Sequence, residues 1–162
     1  PRQFIPSVEK GIRGQAARGV ASGNPLIDVR VTLLDGKAHS VDSSDAAFQT
    51  AGALALREAA AGARIHLLEP VAEVQVLVGD AYVGAVMSDL STRRGRVVGT
   101  EQTPSGRTLV RAEVPEMEIS RYAVDLRSVS HGTARFSRSY ARHEPMPTQL
   151  AEQIREQAGH AA

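Results

Sequence analysis

Two stretches of this sequence carry side chains that could do chemistry. The first is Asp35-Gly36-Lys37-Ala38-His39, followed closely by Asp42, Ser43 and Ser44. A histidine, a carboxylate and a hydroxyl are the parts of a nucleophile triad. The same residues have a plainer chemistry. Asp-Gly is a tight-turn signal, and Asp and Ser before an Ala-rich run are helix caps. No loop suited to an oxyanion accompanies them. What remains is a polar tip that presents a cation, Lys37, and an imidazole, His39, to a ligand or an RNA. The second stretch is Arg93-Arg94-Gly95-Arg96, with Arg127 and His131 further on. A guanidinium fork suits phosphate oxygens, and equally the carboxylates nearby.

Other chemistries are excluded by what the 162 residues lack. Cysteine is absent, so there is no disulfide, no thiol nucleophile and no cysteine-bound zinc. Neither G-x-x-x-x-G-K-[ST] nor G-x-G-x-x-G occurs, so no phosphate-cradling loop of those types is present. The five histidines show no metal-ligand spacing, and no apolar run reaches the length of a membrane span. Tryptophan is absent and aromatics are 4%. Net charge is +1, but unevenly distributed: residues 67–92 hold four acids and no Lys or Arg, whereas residues 93–142 hold ten Arg against five acids. Such a basic half hints at a polyanion partner.

The elements follow from periodicity. Val8, Ile12 and Ala16 predict a helix over 7–18, with Ser7 as cap and Gly19 as stop. Ile27, Val29, Val31 and Leu33 alternate with Asp28, Arg30 and Thr32, which predicts a half-buried strand. The Asp35-Gly36 turn would then lead into a return strand over 37–41. A capped helix follows over 45–61. From 71 to 142 the pattern reads strand, helix, strand, strand, helix, strand, the ferredoxin-like split βαβ unit. A polar helix closes the chain at about 148–158. The expected division is 1–66 and 67–162, in an α+β chain of two small domains. Pro1 in place of Met reads as a cut through a longer protein. On the sheet, Phe136 and Tyr140 lie on a terminal strand and residues 107–114 hold no aromatic. Base stacking of the RRM type is therefore disfavoured, leaving backbone contacts through Arg.

Several blocks, in order, resemble one family. Phe4-Ile5-Pro6-Ser7-Val8-Glu9-Lys10-Gly11-Ile12 resembles the helix entry of the fourth domain of bacterial elongation factor G. Val29 to Leu33 and Asp35 to Phe48 resemble its tip strand, tip loop and following helix. Leu67-Leu68-Glu69-Pro70-Val71 resembles the junction into the fifth domain. Asp89 to Val97 and Tyr122 to Ser128 resemble that domain's helix ends.

The resemblance implies a ribosome-dependent GTPase whose GTP- and Mg-binding domain lies upstream, so that residues 1–162 hold no cofactor or catalytic site of their own. It implies a fourth domain of ribosomal-protein-like βαβ fold with a left-handed crossover, its first strands upstream of Pro1. By position, Asp35, Gly36, Lys37 and His39 match the tip loop. In the family this loop enters the decoding region of the small subunit, beside tRNA and mRNA at the A site, during translocation. The fifth domain approaches the stalk base and large-subunit rRNA, with Arg93, Arg94, Arg96, Arg127 and His131 as candidate contacts. A monomeric, cytoplasmic protein without a membrane partner is implied. Pro115-Glu116-Met117-Glu118-Ile119-Ser120-Arg121-Tyr122 and Ser130-His131-Gly132-Thr133 depart from the family pattern and suggest a divergent paralogue. The competing expectations are a non-ribosomal ferredoxin-like module that binds a small molecule or partner, and a small hydrolase built on His39, Asp42 and Ser43.

Overall fold

The computed structural model describes residues 1–160, which form two compact units. Residues 1–66 make the first and Leu67–Thr148 the second; the closing helix is grouped with the first, whereas the sequence pattern attaches it to the second. That helix buries Ala151, with Leu150 and Ile154 partly buried beside it.

The first unit is built on two helices, α1 (Ile5–Arg18) and α2 (Asp45–Ala61), joined by a long non-helical segment. Pro6 lies in the first turn of α1, where its missing N–H costs nothing. Ser7 is thus inside the helix and does not cap it; its hydroxyl instead donates to Asp45 Oδ1 at the start of α2. Ser44 is the N-cap of α2, accepting from the Ala47 amide at 3.1 Å. The helices meet backbone to backbone. A Cβ on Gly11 would stand 1.9 Å from the Gln49 carbonyl oxygen, and one on Gly52 2.6 Å from that of Val8. These pairings run the helices antiparallel.

The hairpin expected over 27–41 is not formed. Residues 20–44 contain no paired strand, and Ile27, Val29, Val31 and Leu33 are each about half exposed. Alternation fixes a period, and pairing requires a neighbouring strand that residues 1–66 do not supply. Gly36 does not take a positive φ, and Asp35 Oδ1 accepts from its amide at 2.8 Å.

The second unit follows the expected order: β1 (Leu68–Gly79), α3 (Val83–Thr92), β2 (Arg96–Gln102), β3 (Arg107–Pro115), α4 (Tyr122–Val129) and β4 (Arg135–Pro145). Its sheet is antiparallel in the order β2-β3-β1-β4. Val74, Val76 and Val78 of β1 and Val110, Ala112 and Val114 of β3 turn one face into a core with Val86 and Leu90 of α3 and Tyr122 and Leu126 of α4. Phe136 of β4 packs edge-on to Tyr122, centroids 5.1 Å apart. The last helix, α5 (Thr148–His160), follows Pro145 and Pro147.

Candidate functional site

The tip residues are held by turn chemistry. His39 donates its backbone N–H to Ser43 Oγ at 2.8 Å, and the Ser43 amide returns to the His39 carbonyl at 3.3 Å. The Ser43 hydroxyl therefore serves the backbone, and no bond joins it to the His39 ring among the described residues. That removes the geometric basis of the triad reading. Asp35, Gly36, Lys37 and His39 are all exposed, as a contact tip requires. Behind them an open cleft of about 550 Å³ is lined by Phe4, Ile5, Val8, Leu33 and Phe48, with Phe4 stacked on Phe48 at 4.5 Å.

The arginines of the second unit do not form one patch. Arg93 follows α3 and is turned inward. Its Nε donates to Asp89 at 3.0 Å, Nη1 to the Glu118 carbonyl at 2.9 Å and Nη2 to Asp125 at 2.8 Å. Its guanidinium also lies 5.0 Å from the Tyr122 ring centroid. Arg94 forms a bidentate pair with Glu69 at 2.7 and 2.9 Å and a third bond to Glu118 at 3.1 Å. The hydrogen bond from Arg94 to Glu69 is the largest reason the guanidinium pKa is raised. The Glu69 side chain is 6% exposed, so this is a near-buried charge pair. Both arginines are spent on internal acceptors, which weighs against them as phosphate contacts. Gly95 enables the corner: a Cβ there would meet the Leu90 carbonyl oxygen at 2.5 Å.

Arg96 starts a second network across the open sheet face. It reaches Glu113 at 3.3 Å, and Glu113 also pairs with Arg142, which bonds Glu144. The Arg142 hydrogen bond is the main reason the Glu113 carboxyl titrates below its usual range. His131 lies by the start of α3, at the opposite end from Arg93 and Arg94, whereas Arg127 sits on α4 just after Asp125, the partner of Arg93. Both are exposed, and the His131 ring sits 5.5 Å from Tyr82 just before α3. His131 and Gly132 take left-handed φ values of 51° and 79°. Sequence reasoning missed Glu69 and Glu113; for Glu69 an acid at the head of an apolar strand was the available signal, and for Glu113, near the end of β3, there was none.

Buried beside Arg93 is Tyr122, whose hydroxyl has no hydrogen-bond partner. Burial first, and then the Asp89 charge, pushes its pKa up to about 12. Among the described residues no cluster of ligating side chains could hold a metal, and no helix is long and apolar enough to cross a membrane.

Comparison with known proteins follows the same two-part division. Residues 1–64 match the family model "Elongation factor G, domain IV", and residues 66–154 match "Elongation factor G C-terminus". The chain is 64% identical over 159 residues to an "Elongation factor G-like protein" of Mycobacterium tuberculosis strain CDC 1551. It is 63% identical to the protein of that name from strain H37Rv. Each alignment covers 98% of this chain and 22% of the relative, so the chain spans about a fifth of their length. A crystal structure from Thermus thermophilus superposes with a TM-score of 0.92 at 35% identity, covering 99% of this chain and 24% of that one. With family models matching nearly all of its length, in order and across an α+β fold, this chain belongs to the elongation factor G family and carries that family's domain IV and C-terminal regions.

Proposed function

We propose that residues 1–162 are the ribosome-contacting arm of a longer GTPase. GTP and Mg are handled by a domain upstream of Pro1, and the arm works in the cytoplasm. The observation that carries this reading is the ordered match of both regions. The exposed tip at Asp35, Gly36, Lys37 and His39 supports it. The tip would enter the decoding region beside tRNA and mRNA during translocation. The second unit would approach the stalk base and large-subunit rRNA. There Arg127 and His131 are the better contacts, since Arg93 and Arg94 are held internally and Arg96 is shared with Glu113. Strands upstream of Pro1 would pair with the unpaired segment at Ile27–Leu33 and cover the cleft lined by Phe4 and Phe48.

The work is mechanical and electrostatic: the first unit presents an exposed tip, carrying Lys37 and His39, to a polyanion. In the full-length protein, His39→Ala is expected to lower ribosome-stimulated turnover several-fold without changing the melting temperature. Equal turnover would remove His39 from the contact. Co-sedimentation of the full-length protein with ribosomes separates this reading from a non-ribosomal regulatory module, which would stay in the supernatant.

A further inference from the structure

The two helices of the first unit enclose a second feature, separate from the tip. On the side away from Phe4 and Phe48, an open groove of about 910 Å³ runs between α1 and α2. Lys10, Arg13, Arg18 and Arg57 line it against a single acid, Glu9. Gly11 and Gly14 line it with backbone, since they carry no side chain. The Arg18 guanidinium folds over Gly14, 3.4 Å from where a Cβ would be.

We propose that this groove binds the sugar–phosphate backbone of RNA. The cations are staggered along the groove. The antiparallel pairing of Gly11 with Gln49 and Gly52 with Val8 places Arg57 beside the start of α1, with Lys10, Arg13 and Arg18 following along its axis, Arg13 on the outer rim and Arg18 close to α2. At ~1.5 Å per residue, Lys10 and Arg18 are ~12 Å apart along the axis, long enough to meet successive phosphates. Three of the four cations are Arg, whose forks take phosphate oxygens in pairs. No aromatic residue lines the groove, so it lacks the usual anchors of a protein interface.

The charges can be recruited. Glu9 pairs with Arg13 at 2.9 Å, but both side chains are more than half exposed, and such pairs are readily exchanged. Arg18 holds only Gln15, at 3.2 Å. Among the described residues neither Lys10 nor Arg57 forms an ion pair. Asp45, an acid in reach of the Lys10 charge, is occupied by Ser7 and Gln49. The inference rests on the ribosomal reading only for the source of the RNA.

The test is anisotropy binding of residues 1–162 to an RNA hairpin of about 20 nucleotides over a series of salt concentrations. Removing two contacts in Arg13→Gln/Arg57→Gln should weaken binding and reduce the salt slope by about 1.5. A tip variant, Lys37→Gln/His39→Gln, should keep most of the groove's contribution. Should the double variant melt early, Arg57→Gln alone is expected to lower the slope by about 0.8. An unchanged affinity and slope, or no hairpin binding by the wild type at low salt, overturns the proposal. So does poly-glutamate displacing the hairpin as well as RNA does. Ribosome co-sedimentation of the full-length protein is scored separately. Its failure alongside intact hairpin binding sinks the ribosomal reading and leaves the groove; the reverse result sinks the groove alone.

Discussion

Arg94 and Tyr122 show how the environment of a side chain decides its role. Arg94→Ala would strand the Glu69 carboxylate at the head of β1, 6% exposed and without its bidentate partner. Removing one partner of a buried pair costs about 3–5 kcal/mol, and Arg94's one-third exposure lowers that to roughly 2–3 kcal/mol. Urea unfolding of residues 1–162 should show the loss, and an unchanged midpoint would return Arg94 to the surface contacts. Tyr122→Phe works in the other direction. The ring keeps its edge contact with Phe136 and its place under Arg93, while an orphaned hydroxyl disappears. The expected change is neutral to about 1 kcal/mol stabilising. A clear loss of stability would mean that a bound water satisfies the hydroxyl.

The pH dependence also belongs to residues. Asp45 titrates below the ordinary aspartate range, chiefly because it accepts from Ser7, and Glu113 below the ordinary glutamate range, chiefly because of Arg142. A carboxyl with a depressed folded pKa stabilises the fold above its unfolded pKa, and that stability is lost as pH falls through the folded value. Melting temperature should therefore decline below about pH 4.5. Ser7→Ala should shrink the decline; an identical acid limb in the variant would exclude Asp45. On the alkaline side the sign reverses for Tyr122, whose raised pKa favours the neutral folded phenol. Its contribution fades as pH climbs past the unfolded value near 10.

At the scale of elements, the α1–α2 crossing depends on two missing side chains. Gly11→Ala gains helix propensity of up to about 1 kcal/mol but drives a methyl into the Gln49 carbonyl. Overpacking costs about 1–3 kcal/mol, so a net loss is expected. Gly84→Ala on α3, where a Cβ meets nothing within 4 Å, should be neutral or stabilising. Thermal melts of the two variants side by side check this, and a stable Gly11→Ala protein would show that the helices can separate freely.

The same elements show where sequence is informative. The split βαβ order is readable because strand and helix periods differ and each turn carries Gly or Pro. The α2 cap at Ser44 is readable because capping acts within one turn. The 27–33 alternation is equally clear, yet it specifies only which faces are apolar and not which strand comes alongside. The arginine corner misleads because its partners are remote: Glu69 and Glu118 lie 25 and 24 residues from Arg94. Only the sheet topology brings them together. The groove on α1 and α2 is hidden similarly, since Arg57 is far from Lys10 in sequence.

At the scale of the whole molecule, the two units differ in how much they bury. The second has a core of fully buried valines, whereas the first buries mainly Ser7, Gly11, Gly52, Leu56 and Ala151. Local stability follows burial and hydrogen bonding. Hydrogen exchange on residues 1–162 should be slowest in β1 and β3 and fast throughout 20–44. Slow exchange at Ile27–Leu33 would mean that this segment has found a strand partner.

The central claim is that the tip at residues 35–39 acts at the decoding region of the ribosome. Residues 1–162 contain no cysteine, so Ala38→Cys, in a full-length protein cleared of other thiols, gives one tether for a hydroxyl-radical probe. On ribosomes, cleavage should fall in small-subunit rRNA around the A site. Cleavage confined to the large subunit, or none above the untethered control, would contradict the account.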